Sequence, residues 1–318
     1  MDLSEQLGGA VHELHQWLSG RLAALRGRVG FQPAPRGHSA RRAVAPPGGA
    51  ERGRLLLAGA GDLPDEALAR LVRAAGGRSI RVRVVVGLQL DFTAAGRRWA
   101  RQLGRFGVGD VVAASVTTRV QADDEVRAAA LRDVDLVVLA ADDPRHAAAL
   151  LQGSALQRAL QEALARGAAV LLAGASAALA GDWVLAPDGD AVRPTPAPAP
   201  AVLPGLSLLP GWVVDVAYTR SGRTSSFLQA LCRLPAGVES ALTLEPGALA
   251  IVGAGGVEVA GAGAAGWYDV KTLCASAAAN AAGLVGVPVT VVPAGHRLDL
   301  AGGTVAPVEA LRAPVPRA

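Results

Sequence analysis

The chain predicts a doubly wound α/β domain on a mostly parallel sheet, and three observations carry that prediction. From Arg54 onward, short apolar runs alternate with stretches of helical periodicity. The runs are nearly continuous, as strands buried on both faces require, and too short to be helices. One of them, Ala168-Ala169-Val170-Leu171-Leu172-Ala173, ends in the small-residue turn Gly174-Ala175-Ser176-Ala177-Ala178. A strand, a small-Xaa-Ser-Xaa-small turn and a helix form the nucleophile elbow with which α/β hydrolytic enzymes present a serine. On that reading Ser176 stands exposed and strained at the carboxyl end of a strand. The following helix offers backbone N–H groups to a developing oxyanion.

Taken in order, residues 3–28 place Leu3, Leu7, Val11, Leu14, Leu18, Leu22 and Leu25 at helical spacing, which predicts an amphipathic helix over 1–30. His12 and His15 lie three apart on it. With no third ligand in register they read as residues of a solvated or partner-packing face rather than a metal site. From about residue 31 to 53 the composition turns to Pro, Gly, Ala and Arg, a linker. The main domain begins with the strand Leu55–Ala58 and its turn Gly59-Ala60-Gly61-Asp62. Helix 65–75, strand 80–86, helix 93–106, strand 110–114, helix 123–131 and strand 136–139 follow, then a mostly helical stretch over 142–166. Ligand sites in such sheets lie at the carboxyl ends of the strands, where Ser176 falls.

Residues 184–204 are rich in Pro, Ala and Asp and read as a surface excursion. Two further β segments are expected at 212–215 and 248–252. The cluster Gly253-Ala254-Gly255-Gly256 has β-like sequence on both sides, so it reads as a hairpin turn rather than a phosphate cradle. A small β element with a loose tail, over 287–293 and 304–308, ends the chain.

Bulk composition narrows the function classes. Of 318 residues, 51% are apolar and 18% charged, a globular balance far from disorder. Aromatics are only 3%, so Ala, Val and Leu must build the core. Lys271 is the only lysine, and the other cations are arginines spread along the chain. A net charge of +4 without a nucleic-acid motif makes nucleic acid an unexpected partner. Arg36, Arg41, Arg42, Arg52 and Arg54 form the one basic arm that would serve it. Cys232 and Cys274 show no metal-ligand spacing and read as reduced, buried thiols. No signal peptide or membrane-spanning run is visible, so a cytoplasmic location is expected. No metal or cofactor is expected.

Four stretches carry a resemblance to a known family. Pro204-Gly205-Leu206-Ser207-Leu208-Leu209-Pro210-Gly211-Trp212-Val213-Val214-Asp215 is similar to the cyanophycinase segment P-G-L-G-L-L-P-G-V-I-I-D. Gly174-Ala175-Ser176-Ala177-Ala178 resembles that family's G-T-S-A-G elbow. Leu244-Glu245-Pro246-Gly247-Ala248-Leu249 resembles its D-E-D-T-A-L stretch, and Leu57-Ala58-Gly59-Ala60-Gly61-Asp62 its opening I-G-G-A-E-D. The chain thus resembles the cyanophycinase and dipeptidase E family of serine peptidases over 54–273. The N-terminal helix, the linker and a C-terminal β extension over 274–318 fall outside the resemblance.

The resemblance implies a fold of the class I glutamine amidotransferase type, a homodimer, and hydrolysis through a serine, a histidine and an acidic residue. Cyanophycinases cleave an arginine-bearing poly-aspartate to β-Asp-Arg dipeptides. Ser176 falls on the nucleophile and Glu245 on the acid. Asp142, Asp215 and Arg223 fall on substrate-binding positions. The family's D-Q-H-F-S-Q-R-G-R, however, reads Asp215-Val216-Ala217-Tyr218-Thr219-Arg220-Ser221-Gly222-Arg223 here. The histidine is therefore Ala217, the glutamine Val216 and one arginine Ser221. The oxyanion loop G-G-D-Q is Ala140-Ala141-Asp142-Asp143.

A serine without a base is a weak nucleophile, and losing the histidine removes most of the acceleration. The expectation is a hydrolytically inactive or strongly impaired homologue acting in binding or assembly. Its ligand would be peptide-like or cyanophycin-like, and its N-terminal helix would meet a protein partner. The alternative is an active, divergent hydrolase using Ser176 with a recruited base. His146 is the candidate for that base, because it lies near the carboxyl end of the neighbouring strand.

Overall fold

A computed structural model describes residues 54–88, 92–186, 201–216, 224–253, 255–279 and 286–308. The expected N-terminal helix and the linker lie outside the described residues, as do Ala217, Ser221 and Arg223.

The alternation begins as predicted. β1 (Leu55–Ala58) leads to α1 (Asp65–Ala74), and β2 (Arg81–Leu88) to α2 (Phe92–Gly104). β3 (Asp110–Ser115) precedes two short helices, α3 (Arg119–Ala122) and α4 (Glu125–Ala129). β4 (Leu136–Ala141) is followed by α5 (Pro144–Leu151), α6 (Ala155–Arg166) and β5 (Ala169–Gly174). The helical stretch over 142–166 divides because Gly153 takes φ 70 and Ser154 caps α6, its side chain accepting from Gln157 N. A 3₁₀ turn (Ala175–Leu179) then leads to β6 (Trp183–Ala186), β7 (Ala201–Pro204) and β8 (Trp212–Val216). α7 (Thr224–Leu231), β9 (Ser240–Leu244), β10 (Ala248–Gly253) and β11 (Gly256–Gly261) come next. The chain continues with β12 (Ala265–Asp269), α8 (Val270–Ala279), β13 (Thr290–Val292), β14 (His296–Asp299) and β15 (Thr304–Pro307).

Helix α1 shows how the pattern becomes structure. Ala67, Leu68, Leu71 and Val72 are buried along one stripe, while Asp65 and Glu66 in the first turn and Arg73 in the last complement the helix dipole. Arg70 reaches across to pair with Glu258 of β11, tying the helix to the sheet.

Strands β3, β2, β4, β5 and β1 lie side by side in that order, and each neighbouring pair is parallel. Alternate residues feed opposite faces. Leu56, Leu136, Val138 and Leu171 pack with Leu68 of α1 and Leu103 of α2. Leu57, Val137, Leu139 and Leu172 pack instead with Leu156 and Leu160 of α6. Cover on both faces explains why β1, β4 and β5 carry no polar side chain.

Beyond β1 the sheet continues antiparallel through β10, β11, β14 and β15, to nine strands. Gly253 lies opposite Gly256 across β10 and β11, so the glycine cluster is the hairpin turn the sequence predicts. The other strands form a second, six-stranded sheet in the order β13-β12-β9-β8-β6-β7. One of its faces, with Val184, Val214 and Leu242, shares the core of the first sheet. Leu185, Val213 and Tyr268 on the other face meet Phe227 and Leu231 of α7 and Leu273 of α8. The segment read as a surface excursion starts and ends in strand, with Trp183 opposite Pro204. His296 opens β14.

The loop Gly205 to Pro210 between β7 and β8 is fastened to the end of the 3₁₀ turn. Leu206 N donates to Leu179 O at 2.8 Å, Ser207 N to Gly181 O at 3.0 Å and Leu209 N to Ala180 O at 2.8 Å. Ser207 holds φ 50, the sole non-glycine with positive φ among the described residues. Left-handed geometry costs an L-residue about 1–2 kcal/mol, somewhat more than the ~0.4–1 kcal/mol of unfolded-chain entropy that glycine adds. Ser207→Gly is therefore expected to raise stability by about 0.5 kcal/mol. The urea midpoint reads it, and a fall in that midpoint counts against strain at this residue.

Candidate functional site

The carboxyl ends of β1, β4 and β5 come together where the sequence places the site. Ala58 pairs with Ala173 across β1 and β5, and Ala141 with Gly174 across β4 and β5. The chain turns sharply after β5, but the strained residue is Gly174, with φ 64 and ψ −135. In a nucleophile elbow that conformation belongs to the nucleophile itself. Ser176 lies two residues further on, inside the 3₁₀ turn.

The environment of Ser176 differs from the expected exposed, strained position. Its relative exposure is 0%. The hydroxyl points back into the scaffold, with Leu139 O of β4 at 2.7 Å and Ala173 O of β5 at 2.8 Å as acceptors. A hydroxyl has one proton to donate, and here main-chain carbonyls share it. A carbonyl oxygen cannot take that proton away as a base would. The physical reason for the difference is register. The sharp corner falls on Gly174, the last residue of β5, two residues before the serine on which the sequence reading places it. Aligned on the strained residue, Ala173-Gly174-Ala175-Ser176 falls on T-S-A-G of the elbow. Gly174 then occupies the serine position and Ser176 that of the second glycine.

The other predicted residues are placed as follows. Asp142 is exposed just after β4, and Asp143 caps α5, its carboxylate accepting from Arg145 N at 2.8 Å. His146 is exposed in the first turn of α5 and makes no hydrogen bond with Ser176, whose partners are both carbonyls. Glu245 is exposed in the β9–β10 turn, where its carboxylate accepts from Ala264 N at 3.1 Å. Its own N–H donates to Ala264 O at 3.0 Å, so Glu245 laces the turn to the start of β12. Gly59, at the end of β1, packs so closely on Glu245 O that no Cβ fits there.

Asp215 in β8 is buried, opposite Thr243 of β9, and Oδ1 accepts from Val216 N at 2.7 Å. Asp215 is thus the one predicted site carboxylate held inside the protein among the described residues. Among those residues no three His, Cys, Asp or Glu side chains gather as a metal site requires, and no helix is long and apolar enough to cross a membrane.

No protein-family model matches this chain, and no curated protein matches it in sequence. Solved structures do. The chain is similar to a peptidase from an acI-B1 Actinobacterium, with TM-score 0.56 and 17% identity over 78% of this chain and 97% of that one. A Listeria monocytogenes EGD-e protein assigned as a peptidase E matches with TM-score 0.43 and 10% identity, over 66% and 98% of the two chains. The first similarity shows that the chain shares the α/β fold of that peptidase.

Proposed function

We propose that this chain is a divergent cyanophycinase-like protein that keeps a serine-peptidase fold without its hydrolytic chemistry and acts in binding or assembly. The observation that carries the reading is the elbow: glycine holds the strained position, and the nearest serine is buried and bonded to carbonyls. A nucleophile must present its oxygen to substrate and give its proton to a base. Gly174 has no oxygen to present, and Ser176 faces away from solvent. The sequence adds Ala217 at the histidine position and alanines in the oxyanion loop. Asp142, Asp215 and Arg223 remain candidates to contact a peptide-like or cyanophycin-like ligand, and the assembly is proposed as a homodimer.

The test is activity-based labelling. The full chain and Ser176→Ala are treated with a fluorophosphonate, and release of β-Asp-Arg from cyanophycin is followed alongside. Equal, background signals in both proteins are expected. Labelling or dipeptide release that vanishes in Ser176→Ala would establish a working hydrolase instead. Loss of that activity in His146→Ala as well would identify the recruited base.

A further inference from the structure

Away from the elbow, the two cysteines of the chain meet. Cys232 directly follows α7, and Cys274 lies in the middle of α8. Both are half-buried at the edge of the cluster that holds the two helices on the second sheet, beside Phe227, Leu231, Tyr268 and Leu273. The thiol of Cys274 reaches Leu231 O at 3.9 Å, which sets it beside Cys232, the next residue in the chain. They are free thiols in this structure. Two half-buried cysteines thus adjoin on neighbouring elements packed against one cluster, the proximity a disulfide requires.

We propose that Cys232 and Cys274 form a reversible intramolecular disulfide, made by exchange with a small-molecule disulfide such as oxidised glutathione. In the first step one cysteine thiolate attacks a glutathione sulfur. A mixed disulfide forms, the glutathione S–S bond breaks and one glutathione thiolate leaves. In the second step the other cysteine gives its proton to solvent and attacks the sulfur of the first. The protein disulfide forms and the second glutathione leaves. Two protein thiols are oxidised and one glutathione disulfide is reduced to two thiols.

Burial, with the neighbouring Cys274, pushes the thiol of Cys232 up to about 12. Little thiolate forms there at neutral pH, so closure is slow at pH 7 and faster in mild alkali. The cross-link would pin the end of α7 to α8. Helix α7 begins at Thr224, immediately after Arg223.

The test uses the full chain, incubated natively with oxidised glutathione at pH 8.5. Thiols are then counted in denaturant, the intact mass is measured and the thermal midpoint is read with and without reductant. The expected result is loss of both thiols, a mass lower by the two hydrogens, a monomeric band on a non-reducing gel and a midpoint higher by about 5 °C or more. Cys232→Ser is expected to stop at a stable mixed disulfide on Cys274. Two thiols still titrating after prolonged incubation would overturn the proposal. So would a lasting glutathione adduct on the parent chain, or cross-linking between chains.

Discussion

Gly174→Ser is expected to react with a fluorophosphonate at least about tenfold faster than the parent chain, in which Ser176 stays unlabelled. The site has room for the new side chain, since a Cβ at position 174 meets only Ala141 O, at an ordinary 3.5 Å. The added hydroxyl would stand where φ 64 and ψ −135 aim an elbow side chain, at the carboxyl end of β5. Backbone strain opposes the change. A non-glycine residue in that conformation costs about 1–3 kcal/mol, so the variant should also unfold at lower urea than the parent. Gly174→Ala serves as the control, because it shares the strain and has no hydroxyl to label. Adding Ala217→His to Gly174→Ser is expected to raise the labelling rate further by supplying a base. Labelling of Gly174→Ser no faster than Gly174→Ala would mean that position 174 is not the elbow's reactive position.

The second large effect is on stability. Gly181→Ala and Gly205→Ala are each expected to lower unfolding free energy by about 3 kcal/mol or more, enough to threaten expression. A Cβ at Gly181 would collide with Trp212 O, and one at Gly205 with Gly181 O. In both cases the obstacle is backbone, which cannot rotate away as a flexible side chain can. The same carbonyls carry working hydrogen bonds: Asp182 N donates to Trp212 O at 3.1 Å, and Ser207 N to Gly181 O at 3.0 Å. Moving either carbonyl therefore disturbs the start of β6 and the loop before β8 together. Gly104→Ala, at the end of α2 with nothing near its would-be Cβ, is the contrasting case. It is expected to be neutral or to gain about 0.5 kcal/mol. Urea titrations of the three variants read all of these outcomes. A small loss at Gly181 and Gly205 would show that the backbone there gives way.

Strands buried on both faces were the most legible part of the sequence. Leu55–Ala58, Leu136–Leu139 and Val170–Leu172 are apolar at every position, and burial on both sides permits nothing else. The second sheet was harder to read. β9 (Ser240–Leu244) and β12 (Ala265–Asp269) mix Ser, Thr and Gly among their apolar residues, because positions such as Ser240, Gly266 and Trp267 are only half-buried. Strands that pair antiparallel with distant partners leave no βα rhythm to detect.

At the site, the sequence reading puts the sharp corner at Ser176, whereas the backbone turns at Gly174, two residues earlier. In a stretch of alanines around Gly174 and Ser176, the side chains hold too little information to separate two registers. Backbone dihedral angles separate them, since φ 64 at Gly174 marks the sharp corner. The clue available in the sequence was that Gly174 directly follows the apolar run, where a strand that pairs with Ala141 must end.

The path of the chain between its two sheets has a consequence for how the molecule comes apart. After β5 the chain leaves the first sheet for β6, returns between β9 and β10, leaves again between β11 and β12, and returns between β13 and β14. Neither sheet is a continuous piece of sequence, so neither can melt, or be cut away, while the other stays whole. A nick or truncation after residue 279 would strip an edge strand from one sheet and the last two strands from the other. Residues 54–308 should accordingly lose structure in one cooperative transition, with the unfolding midpoints of both halves coinciding.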